Sequence, residues 1–393
     1  MNIKKTLYAM LLTGLVSIHT PVQAEILAMM NYESRAQASL THSRLSTAPQ
    51  RREGIAIMDV DPKSSRFGQV LMDIPLNPEW VAHHIFYDKT MRKAYVTFLQ
   101  NSQLGIIDMQ KFPYRMELLD LPQCSFAEDI IFSDDNKTWY VTCMGDDKIV
   151  VGDVKTDTVT TTIKTAALHP HGFAVNNKID RALATSTVRG SDLGDAGEFL
   201  TVIQPSTNKV LGTVKVSDKK SPSGEAPVEV VFVPGSEPAV AYVTNMYGSS
   251  LWALTFQPDT KTFKSSKVFD FGQQGFNVPL EIYFNEQADK LFVTTAKPGH
   301  FHIFDISQGP LKPKLMKSIP AGEGAHHVAF TKDWQYAFVQ NALLNLPDMS
   351  DGEITVIDLN KQTVVARIDT LKQQGLLANC IVLLPEWNHL AGH

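Results

Sequence analysis

Apolar positions along this chain come in short runs, about five to seven residues long, separated by turns rich in Gly, Pro, Asn and Asp. Runs of that length, dominated by Val, Ile, Thr, Tyr and Phe, predict strands, because β-branched and aromatic side chains suit a pleated, half-buried surface. The runs also repeat. Ala82-His83-His84-Ile85-Phe86-Tyr87 is echoed by phrases beginning at Ala127, Pro170, Pro227, Pro279, Ala325 and Ala378, with starts 43 to 57 residues apart. That period fits four short strands plus loops, the unit of a propeller blade.

A second strand follows the phrase in the earlier units, as in Ala94-Tyr95-Val96-Thr97, Trp139-Tyr140-Val141-Thr142 and Tyr242-Val243-Thr244-Asn245. A third strand ends on Asp (Asp108, Asp153, Asp305, Asp358), a repeated turn position whose role is structural. A more polar fourth strand closes each unit, as at Thr158–Lys164. The seventh phrase lies close to the C-terminus with no partners after it, while three unassigned strands, Ile26–Tyr32, Gly54–Asp59 and Gln69–Ile74, lie at the N-terminus. The expected fold is therefore all-β: a seven-bladed β-propeller whose last blade combines the C-terminal innermost strand with three N-terminal strands. Closing the ring this way leaves no exposed sheet edge.

The N-terminus has its own pattern. Lys4 and Lys5 precede an apolar run from Leu7 to Ile18, and Val22-Gln23-Ala24 offers small residues for cleavage. Residues 1–24 read as a signal peptide, too short in its apolar core to span a bilayer, and 25–393 as the propeller. The expected location is periplasmic or secreted, without membrane insertion. The net charge of −5 argues against a nucleic-acid surface. Three cysteines leave an odd thiol. Cys124 and Cys143 flank the first two strands of blade two, where a disulfide is feasible in an oxidising compartment. Cys380 is then the odd one, either a buried small hydrophobe or a ligand.

Chemistry is expected where the innermost strands begin, at the mouth of the central channel. Aligning the phrases places His83-His84, Glu128-Asp129, His171-Gly172, Val228-Glu229, Leu280-Glu281, His326-His327 and Asn379-Cys380 there, blade by blade. Ring closure brings His326-His327 to within one blade of His83-His84, with Cys380 between them. Imidazole, thiolate and carboxylate together suit copper or zinc, so His83, His84, His171, His326, His327 and Cys380 are candidate metal ligands. Glu128 and Glu281 are candidate acid–base groups. The bland alternative is that these side chains satisfy backbone groups the channel leaves unpaired. His300 and His302 belong to blade five, with only one able to face inward, and His389 and His393 to the opposite mouth. The loops at 34–52, 188–198 and 342–351 rim the same mouth. The last, with Leu343, Leu344, Leu346 and Met349, is apolar enough for a lid or a protein-binding surface.

Two resemblances accompany this reading. Tyr242-Val243-Thr244-Asn245 resembles the YVTN-type β-propeller family, which implies fold more than function. His83-His84, Val278-Pro279-Leu280-Glu281-Ile282 and Phe304-Asp305-Ile306-Ser307, followed by Pro313 and Leu315, are similar to the selenium-binding protein and methanethiol oxidase family. That resemblance implies a propeller with histidine-bound copper and maps the family's His pair onto His83 and His84. The family's C-terminal Ala-His-Glu signature is absent, so its other ligands find no counterpart.

Three functions follow. The first is a metal-binding propeller, acting as an oxidoreductase or metal carrier on a small molecule or ion at the funnel mouth. The second is a non-catalytic platform for a protein or ligand, using the 342–351 loop. The third is a lactonase-like metal-dependent hydrolase or lyase. No serine-nucleophile motif, phosphate-cradling glycine loop or Cys-x-x-Cys-His occurs.

Overall fold

The computed structural model describes residues 25–35, 52–122 and 124–391. Residues 1–24, where a signal peptide is expected, most of the 34–52 loop and His393 lie outside them. Seven antiparallel sheets surround a central channel. In blade one the strands run outward in chain order as Ala82–Tyr87, Lys93–Phe98, Gln103–Asp108 and Met116–Asp120. The innermost strands of blades two to six are Ala127–Phe132, Pro170–Asn176, Pro227–Phe232, Asn277–Phe284 and Ala325–Thr331. Blade seven is mixed as expected: Leu376–Leu383 innermost, then Leu27–Ser34, Glu53–Asp59 and Val70–Leu76. Leu376–Leu383 touches the innermost strands of both blade six and blade one, so the ring closes there. Tyr87 Oη donates to the Leu383 carbonyl at 2.9 Å across that junction.

Burial follows radial position. In blade one the innermost strand is buried along its whole length, whereas Met116–Asp120 has no buried residue, only half-buried and exposed ones. Neighbouring blades cover both faces of an inner strand, while an outer strand keeps one face in water. Large rings fill the wedges between sheets; Tyr95 lies against Phe132, and Phe292 stacks on Phe301. The Asp residues that end the third strands cap turns: Asp108 accepts from the Gln110 amide, and Asp305 from Ser307. That is the structural role expected of them.

Blade six departs from the four-strand unit. A short strand, Asn388–His389, pairs with its innermost strand, Phe330 opposite His389. The Phe284 amide donates to Ala391 of the same tail at 3.0 Å. The C-terminal segment thus lies along the far ends of the innermost strands of blades five and six, where it shares a cavity with His327. It occupies backbone groups there that would otherwise stay unpaired.

Candidate metal centre

Two consecutive residues of a regular strand point to opposite faces, so a pair such as His83-His84 should not share the channel. A backbone irregularity makes it possible. In blade one Ala82 pairs with Phe98 and Ile85 with Val96, leaving His83 and His84 opposite Thr97 alone. The same two-against-one bulge recurs at Ala127/Ile130, Pro170/Phe173, Pro227/Val230, Pro279/Ile282 and Ala325/Val328. A bulge re-aims side chains and leaves its extra amide without a ladder partner.

The residue opposite the bulge supplies that partner. Thr97, Thr142, Thr244 and Thr294 accept, through Oγ1, from the amides of His84, Asp129, Glu229 and Glu281. Gln340 Oε1 accepts from His327. Several of these side chains then donate to the next blade. Thr142 donates to the His171 carbonyl at 2.6 Å, Thr185 to Val228 at 2.7 Å, Thr244 to Leu280 at 2.6 Å, and Asn31 of blade seven to His83 at 2.7 Å. The threonine that ends the second strand is therefore a stitch between blades at the mouth. Gly172 takes the second bulge position in blade three because a Cβ there would come within 2.5 Å of the Val228 carbonyl.

The paired positions form two tiers. The first residues of each pair, among them His83, Glu128, His171, Val228, Leu280 and His326, line a chamber of about 260 Å³ at the mouth. Its walls are apolar: Met144, Met246 and Met349 with Val188, Leu193 and Val278. Leu343, Leu344 and Leu346 fold inward to complete it, so the apolar side chains of the 342–351 loop cover the funnel and its exposed tip is Pro347-Asp348. The second tier lies deeper. Burial, with Glu281 and Asp129 nearby, pushes the Glu229 carboxyl well above the usual range.

Histidines and carboxylates meet in two sets. In the first, Glu128 Oε2 lies 2.9 Å from His83 Nε2 and 3.5 Å from His171 Nε2. In the second, Glu281 Oε1 lies 3.2 Å from His326 Nε2, and Oε2 lies 3.6 Å from His327 Nδ1. Within each set the three donor atoms lie within 4.8 Å of one another. Burial works to raise the Glu128 carboxyl, but the His83 and His171 imidazoles outweigh it and hold the group below its usual value. Burial lowers His171, against the pull of Glu128.

His84 stands between the sets. Its ring centre is 4.6 Å from that of His327 and 6.0 Å from that of His171. Burial first, then the surrounding imidazoles, hold it neutral, well below its ordinary range. Its Nδ1–H donates to the Glu128 carbonyl at 3.1 Å, which leaves Nε2 with the lone pair. That Nε2 has no hydrogen-bond partner, nor have the Nδ1 atoms of His83 and His171. A metal-binding histidine commonly donates its other ring N–H to a carbonyl in this way. Two imidazoles and a carboxylate are a donor set suited to zinc, copper and iron. The residues present therefore fit a transition-metal ion.

The structure corrects one detail of the expected site. Cys380 belongs to neither set. Its Sγ lies 3.7 Å from the Ile85 carbonyl, inside an apolar cluster with Ile85, Ile130 and Val382, and burial pushes its thiol up. Glu128 and Glu281, expected as acid–base groups, each lie beside two histidines of a set. His83, His84, His171, His326 and His327 do converge. Cys124 and Cys143 form a disulfide, with Cα atoms 5.0 Å apart, directly before the chamber residue Met144. His302 is buried within blade five between Thr295 and Ser318, away from the channel. The bulges, the threonine stitches and the methionine-lined chamber went unread in the sequence. The recurring Thr was the visible signal for the first two.

Comparison with known proteins agrees with the fold. No protein-family model matches the chain. The chain is 23% identical to methanethiol oxidase of Hyphomicrobium over 327 residues, covering 76% of this chain and 74% of that protein. Among solved structures, a hypothetical selenium-binding protein of Sulfolobus tokodaii superposes with a TM-score of 0.71 at 12% identity, covering 93% of this chain and 94% of the other. Hydrazine synthase of Kuenenia stuttgartiensis gives 0.59 at 12% identity, covering 79% and 91%. At these identities the structural likeness establishes the propeller and nothing finer.

Proposed function

We propose that this protein is a metal-dependent oxidoreductase acting on a small apolar molecule, a thiol being the first candidate, at the mouth of its propeller. The observation that carries the reading is the convergence of His83, Glu128 and His171 at the floor of the methionine- and leucine-walled chamber. Imidazole-rich sites bind Cu²⁺ more tightly than the other divalent ions of the first row, so copper is the preferred ion and zinc the second. Copper held there would supply one-electron redox chemistry. The chain's own residues do the rest. Glu128 offsets the positive charge of the ion and orients His83 and His171. The apolar walls exclude water and favour an apolar body with one polar or sulfur head turned to the floor. The distant likeness to methanethiol oxidase supports a thiol. The sequence pattern of residues 1–24 and the Cys124–Cys143 disulfide support a periplasmic or secreted setting.

The test is metal analysis of protein exported to the periplasm and loaded with copper or zinc, then assay with methanethiol and longer alkanethiols. Metal retained through dialysis, with turnover lost in His171→Ala, is the expected result. Protein that keeps no stoichiometric ion, or a His171→Ala variant as active as the parent, refutes the proposal.

A further inference from the structure

The second histidine–carboxylate set is a complete site of its own. We propose that the funnel holds two metal ions, one on His83, Glu128 and His171 and another, deeper, on Glu281, His326 and His327. The inference rests on the metal reading above and extends it.

A metal on nitrogen and oxygen ligands sits about 2.0–2.2 Å from each, so donors to one ion lie within roughly 4.4 Å of one another. Each set approaches that on its own: its three donor atoms fall within 4.8 Å, whereas the sets remain separate from each other. The topology explains the division. The first set comes from blades one, two and three, and the second from blades five and six. Blade seven, between blades six and one, offers Asn379, whose amide donates to the Ala82 carbonyl at 3.1 Å, and Cys380, turned into the apolar core. Blade four brings apolar Val228 to the upper tier. Neither blade adds a histidine to the upper tier, so the two sets are held by different blades and each forms a group of its own.

The second set is buried: the exposures of Glu281, His326 and His327 are 1%, 2% and 1%. Two imidazoles and a carboxylate so far from water are expensive to desolvate, and a cation at their centre offsets that cost. His84 supports the same view from between the sets. Its Nδ1–H is committed to the Glu128 carbonyl, and its buried, unpartnered Nε2 is a further donor beside the His327 ring. Paired ions held by neighbouring side chains stabilise charge developing on two substrate atoms at once.

The experiment uses the full mature chain, stripped of metal, titrated with Cu²⁺, dialysed and analysed for copper, with electron paramagnetic resonance on the same samples. About two ions per chain are expected. His326→Gln and His171→Gln should each retain about one ion, with a spin signal reduced in proportion. Circular dichroism and melting temperature establish that both variants fold; Glu281→Gln provides a second route to the deeper set. One ion in the parent protein, or a copper content unchanged in both single variants, overturns the two-ion proposal while leaving the functional reading intact. No retained ion overturns both.

Discussion

Removing the hydroxyl of Thr142 tests the link between the repeat and the site. Thr142 Oγ1 accepts from the Asp129 amide at 2.9 Å and donates to the His171 carbonyl at 2.6 Å. Thr142→Val keeps the shape and strands both groups in a place with no exposure. A buried polar group left without its partner costs about 1–3 kcal/mol, so the pair should cost about 2–6 kcal/mol. The carbonyl set adrift belongs to His171, which should weaken metal binding at the first set by about 10- to 100-fold, the usual effect of losing a partner that orients a ligand. Thr142→Ser is the control: it retains both bonds and loses one methyl, about 1 kcal/mol. Urea denaturation of both metal-free variants, with competition titration against a copper chelator, reads the two effects. If Thr142→Val is no less stable than Thr142→Ser, or binds copper as tightly, the bulge-and-stitch account of the mouth is wrong.

Three further outcomes follow from side chains beyond the metal sets. Cys380→Ala should leave the copper content unchanged while lowering the melting temperature, and a thiol reagent should reach Cys380 only on unfolding; a lost ion would restore the thiol as a ligand. Breaking the Cys124–Cys143 bond, which spans a sequence separation of 19, should cost about 3 kcal/mol in a comparison of oxidised and reduced protein, and an unchanged melting temperature would contradict this. Burial, then the neighbouring His300, holds His302 down to about 3 against an ordinary 6.5. The unfolded chain therefore takes up a proton the folded chain refuses. Stability from this residue is complete above about pH 6.5 and is lost as pH falls towards 3, amounting to about 2 kcal/mol at pH 5. His302→Gln should flatten that part of the stability profile, and an unchanged slope would count against it.

The sequence by itself determined the number of blades and the way the ring closes, because both follow from a repeat whose strands are local and whose apolar faces must be buried. It also determined which residues stand at the mouth. Once the strands are aligned, position along the innermost strand sets distance from the channel, and His83, His84, His171, His326 and His327 follow from that alone. What it could not determine was where each side chain turns. Two neighbours share the channel only because a bulge breaks the alternation, and a bulge is a matter of pairing between strands. Cys380 stands in the same register as His84 and His327 and yet turns into the packed core, where a small apolar thiol fits and a ligand would not. Nor could spacing along the chain reveal that the histidines divide into two sets, since that depends on which glutamate each imidazole reaches across the ring. The chamber is likewise tertiary: Met144, Met246 and Met349 belong to three different blades and meet only because the ring gathers their loops around one axis.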